Sequence, residues 1–147
     1  NRYKWLQKNI QPISFVISAI INFPELSTYI SDSQVELLTA VETDVLKSIL
    51  LEILDLIYNH NDINTGKIIA AFTHSNEFKN LEKILSNNLV AGFDKNKIQA
   101  QINDYFIWLK NRKLKNRIEY LSHKPITTLT DAEKQELKRL YSGKWCC

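Results

Sequence analysis

Apolar residues recur along much of this chain at three- and four-residue intervals, the period of an α-helix packed on one side. The clearest stretch begins near Thr43 or Asp44. There Leu46, Ile49, Leu50, Ile53, Leu54 and Ile57 mark one face before Asn59-His60-Asn61-Asp62 ends the run. Upstream, Pro12 opens Ile13-Ser14-Phe15-Val16-Ile17-Ser18-Ala19-Ile20-Ile21, which is apolar almost all round and predicts a buried helix. Pro24 restarts a short helix through Glu25 to Ile30. A polar connection around Asp32 and Ser33 then leads to a short apolar segment from Val35 to Val41. Thr65 and Gly66 precede Ile68 to Phe72, and Phe78 to Leu85 forms a further short helix. Five or six helices joined by short loops give an all-α bundle.

A long helix follows from about Asp94 to Ser122, and its apolar stripe changes face. Ile98, Ile102, Tyr105, Phe106 and Leu109 share one side. Leu114, Ile118 and Leu121 lie about 140° away when each residue advances by about 100°. The first half therefore packs in the bundle and the second half faces another partner. Pro125 interrupts this helix, and Thr130 with Glu133 makes a capping box that starts a new one. Gly143 suits its C-terminal end. The new helix is too short to stand alone, and its apolar face is Leu137, Leu140 and Tyr141, with Trp145 beyond. The expected organisation is a helical bundle over residues 1–109 and a C-terminal helical hairpin over 110–147.

Composition narrows the class without changing that picture. At 147 residues the chain is one domain's worth, and 44% hydrophobic content supplies a core. Three Gly and three Pro argue against an all-β protein. No apolar run reaches the length of a membrane span. The start, Asn1-Arg2-Tyr3-Lys4-Trp5, has neither initiator Met nor a signal-peptide pattern, so a piece of a longer, cytoplasmic protein is expected. Net charge is +3, but residues 1–93 hold seven Lys/Arg against ten Asp/Glu, while 94–147 hold twelve against six. The two parts are thus expected to meet different surroundings.

Candidate chemistry is sparse. Cys146 and Cys147 end the sequence and read as exposed thiols, since no Gly-rich phosphate loop accompanies them as in prenylated GTPases. His60, His74 and His123 are scattered without metal-ligand spacing, so no metal site is expected. Glu52 and Asp55 fall on the polar side of a helix, and no nucleophile–base arrangement is apparent. Ile63-Asn64-Thr65-Gly66-Lys67 lacks the first Gly of a nucleotide loop and reads as a loop and helix start. No catalytic residue and no cofactor is expected. Lys110, Arg112, Lys113, Lys115 and Arg117 form a basic cluster that could grip phosphates, or simply solvate a helix. Lys110, Lys113 and Arg117 share a face, with Arg112 and Lys115 opposite.

Several segments, taken in order, resemble the C-terminal helicase-binding domain of bacterial DnaG primases. They are Phe23-Pro24-Glu25-Leu26, Leu51-Glu52-Ile53-Leu54-Asp55, Asn64-Thr65-Gly66-Lys67-Ile68-Ile69, Leu81-Glu82-Lys83-Ile84 and Leu129 to Leu137. The resemblance spans almost the whole chain. It implies a helical bundle followed by a hairpin that docks on the hexameric replicative helicase, DnaB, in the bacterial replisome. It also implies a bundle that modulates the helicase. The zinc-binding and polymerising domains of such primases lie upstream, so this segment is expected to be non-catalytic. On the final helix, Leu137, Leu140 and Tyr141 would supply packing and apolar contact. Lys134, Lys138, Arg139 and Lys144 would orient docking, and Ser142 falls within the same surface. Some relatives also capture the tail of single-stranded-DNA-binding protein, and Lys8, Pro12, Ile13, Ile17, Lys83 and Ile84 match that pocket. Asn9 and Ser14 stand where basic residues occur in the family. The leading expectation is a helicase adaptor that lets priming follow fork opening. The alternative is a nucleic-acid-binding module using the cluster 110–117.

Overall fold

A computed structural model describes residues 11–142. Among them the chain is helical with no strand, as the apolar spacing predicts: α1 (Pro12–Asn22), a 3₁₀ helix (Pro24–Tyr29), α2 (Asp32–Val41), α3 (Lys47–Asn59), α4 (Thr65–Phe72), α5 (Phe78–Ser86), α6 (Lys95–His123), a 3₁₀ turn (Ile126–Thr128) and α7 (Asp131–Tyr141). The chain separates into two compact units, Asn1–Phe106 and Ile107–Cys147, with α6 contributing to both.

In the first unit α1 is the central element. Every residue from Ile13 to Ile21 is buried, because the 3₁₀ helix, α3, α4 and α5 all pack against it. Pro12 suits its first turn, where the missing N–H leaves no intrahelical bond unmade. Each of its large aliphatic side chains contributes about 1.5–3 kcal/mol by leaving water. The end of α1 is fixed from a distance, since the Thr65 hydroxyl donates to the Ile21 carbonyl at 2.7 Å and ties it to the start of α4. Phe15 meets Phe93 edge to face at 6.0 Å. The turn between α5 and α6 uses two left-handed residues, Asn88 (φ 50°) and Gly92 (φ 83°).

Two boundaries differ from the sequence reading, and polar side chains explain both. Asp32 and Ser33, read as a connection, are the first turn of α2. Ser31 accepts the Gln34 N–H at 3.2 Å while the Gln34 side chain accepts the Ser31 N–H at 2.9 Å, a capping box that starts the helix early. Conversely α3 begins at Lys47, not near Thr43 or Asp44. Glu42, only 5% exposed, accepts the Thr43 and Asp44 N–H groups at 3.0 and 3.1 Å, and Asp44 accepts the Leu46 N–H at 2.8 Å. These carboxylates hold a turn where a helix would otherwise begin. The other Glu42 oxygen accepts the Tyr105 hydroxyl at 2.7 Å, which satisfies a buried charge from α6. Asn64 caps α4 through the Lys67 N–H at 2.9 Å, so Ile63 to Lys67 is the loop and helix start the sequence indicated.

The predicted change of face along α6 is present. Ile98, Ile102, Tyr105, Phe106 and Leu109 are buried, and further along Leu121 is buried while Leu114 and Ile118 are half-buried. In the second unit Pro125 lies just beyond α6, and the Thr130–Glu133 capping box starts α7 with hydrogen bonds of 3.0 and 3.1 Å.

Candidate functional site

The second unit carries the candidate helicase-contact and basic-cluster residues that the structure describes, and charged pairs build it. Arg117 on α6 donates two hydrogen bonds to Glu136 on α7, at 2.8 and 2.9 Å. Such a fork-to-fork pair fixes orientation as well as distance. Lys124, just past α6, donates to both oxygens of Glu133 at 3.1 and 3.0 Å. Ser122 and Tyr141 share a hydrogen bond of 2.7 Å between their hydroxyls. The Arg117 fork holds the Glu136 carboxyl below its ordinary range, and Glu136 in turn raises the Arg117 guanidinium. Glu133 is lowered first by the Thr130 N–H it accepts and then by Lys124. One residue thus caps α7 and tethers it to the end of α6.

The predicted contact residues divide into two groups. Leu140 is buried and Leu137 half-buried, so these two form the inward face of α7. Tyr141, assigned to the same apolar face by spacing, is 67% exposed. Lys134, Lys138, Arg139 and Ser142 are exposed beside it. Lys144 lies outside the described residues, as do Lys8, Gly143, Trp145, Cys146 and Cys147.

The basic cluster is not uniform. Lys110, Lys113 and Lys115 are exposed, Arg117 is committed to Glu136, and the Arg112 guanidinium lies 5.2 Å from the centre of the Trp108 ring. Of the positions matched to a tail-binding pocket, Ile13, Ile17 and Ile84 are buried in the first unit. Pro12 is half-buried and Lys83 exposed.

Sequence spacing missed Tyr120. It is 53% exposed, with the Arg117 guanidinium 5.4 Å and the Lys124 ammonium 5.5 Å from its ring centre. Each of these cations is held by a carboxylate of α7, so the ring is braced without being covered. Shallow hollows adjoin it, one lined by Asn116, Glu119, His123 and Lys124, another by Lys113, Leu114, Asn116, Arg117 and Glu136. The available signal was an aromatic with basic residues three positions before and four after it on a polar helix face.

This arrangement suits protein recognition. Among the described residues no group of His, Cys, Asp and Glu could hold a metal ion. No helix among them is long and apolar enough to cross a membrane. The family model described as DNA primase DnaG DnaB-binding matches residues 15–140. No curated protein and no solved structure matches the chain. Since the match takes in the bundle core from Phe15 as well as α7 to Leu140, the chain belongs to the DnaB-binding family of DnaG primase domains, modules that bind the replicative helicase.

Proposed function

We propose that this domain recruits a primase to DnaB so that primer synthesis follows fork opening, and that it grips the helicase through the second unit. The observation that carries this reading is the pair of exposed tyrosines, Tyr120 and Tyr141, set among Lys113, Lys124, Lys134 and Lys138 on a unit braced by ion pairs. Exposed aromatic side chains with a low entropic cost of ordering are favoured binding anchors. The lysines around them set on-rate and salt dependence more than affinity. Leu137 and Leu140 act indirectly, by fixing how α7 packs. Arg139 and Ser142 belong to the same proposed surface.

The test is surface plasmon resonance with the cognate helicase. Tyr141→Ala weakens binding by at least about tenfold with unchanged helicity, because its ring is exposed and its loss leaves no cavity. Unchanged affinity for this variant would remove α7's outer face from the contact. Leu140→Ala also weakens binding, but with an accompanying loss of stability. Substituting Lys110, Lys113 and Lys115 together by Gln separates the nucleic-acid reading. That reading requires the triple variant to lose a salt-dependent affinity for single-stranded DNA that the parent chain possesses.

A further inference from the structure

Among the described residues, the first unit carries an open groove. It has a volume of about 550 Å³ and lies among the 3₁₀ helix, the start of α2 and the outer side of α3. Ile30, Val35, Leu51, Leu54 and Ile57 give it an apolar lining, and Tyr58 at its border is 85% exposed, the most exposed large hydrophobic residue among those described. An apolar hollow bordered by so exposed an aromatic is an interaction feature rather than ordinary surface.

Its charge is one-sided. Asp32 of α2 and Asp55 of α3 line the groove on different helices. Glu36, one turn after Asp32, and Glu52, three residues before Asp55, are exposed and extend the acidic borders. None of these four carboxylates has an ion-pair partner among the described residues. The surrounding sequence reinforces them, since residues 11–106 hold six Lys/Arg against twelve Asp/Glu.

We propose that this groove is a second protein-binding site, distinct from the helicase-binding surface of the other unit. Its occupant is an amphipathic helix of a partner protein, with aliphatic residues at helical spacing flanked by Lys and Arg. The apolar lining takes the aliphatic ridge, as in other helix-in-groove recognition. The carboxylates on two helices meet cations on both flanks of the incoming helix. Tyr58 closes over its apolar edge.

The test uses the full chain, ¹⁵N-labelled, and a synthetic Leu/Lys peptide of about 15 residues patterned for one apolar face, long enough for marginal helicity. The expected result is binding that shifts the backbone amides of residues 28–35 and 51–58. Asp55→Lys combined with Tyr58→Ala, both at exposed positions, weakens it at least about tenfold. Glu82→Lys, on the exposed side of α5, leaves it unchanged. Three results would overturn the proposal. Amide shifts spread over the whole acidic surface would reduce the attraction to net charge. Equal affinity for a Leu/Glu version of the peptide would refute the charge complementarity. Movement of the same groove amides on Trp5→Ala, without peptide, would show that residues 1–10 of this chain are the occupant.

Discussion

Glu42 shows what a single side chain contributes here. It is buried and accepts from two backbone N–H groups and from Tyr105, so one carboxylate sets where α3 begins and ties that turn to α6. Tyr105→Phe removes one donor and leaves the charge in place. The expected cost is about 1–3 kcal/mol in urea unfolding, since a buried acceptor loses its partner. A change near zero would show that water replaces the hydroxyl. Tyr120 is the complementary case, a ring braced by two cations yet open to solvent. Neither role could be read from apolar periodicity. Glu42 meets a partner 63 residues away, and periodicity assigns a residue to a face without saying whether that face is covered. Tyr141 illustrates the same limit, because its spacing groups it with Leu137 and Leu140 while its ring lies in solvent.

At the scale of elements, much was legible because local chemistry decides it. Pro12 starts α1, and Thr130 with Glu133 starts α7, each by satisfying or lacking backbone N–H groups near in sequence. The shift of apolar face along α6 likewise depends only on helical phase. The starts of α2 and α3 were misplaced because carboxylate and hydroxyl caps can begin or delay a helix without altering the apolar pattern. Thr130→Ala is expected to cost α7 about 1 kcal/mol. It appears as faster amide exchange over 131–141 with little change in α1.

Acid acts on the same element. Glu133 and Glu136 are both held below their ordinary values, chiefly by the Thr130 N–H and by Arg117 respectively. Their stabilisation is therefore complete above the unfolded carboxylate value of about 4.3 and is lost as pH falls through the lower folded values. Amide exchange is expected to show α7 losing protection before α1 as the solution is acidified. Simultaneous loss would mean that these pairs contribute little.

At the scale of the whole molecule, charge distinguishes the two units. Residues 11–106 carry twice as many acids as bases, whereas residues 107–142 hold nine Lys/Arg against four Asp/Glu. The two proposals, helicase docking through the basic unit and capture of a basic helix by the acidic one, are compatible, because they call on surfaces of opposite sign. Docking should accordingly slow its on-rate as salt rises, while its off-rate, set by Tyr120 and Tyr141, changes less.

The most direct measurement compares the parent chain with a Tyr120→Ala/Tyr141→Ala variant by surface plasmon resonance on immobilised DnaB, with circular dichroism on both. The parent is expected to bind, and the variant, equally helical, to bind at least about a hundredfold more weakly, as the loss of two anchors entails. A variant that binds as tightly as the parent would contradict the placement of the grip on the second unit. A parent chain that does not bind would contradict helicase recruitment by this domain.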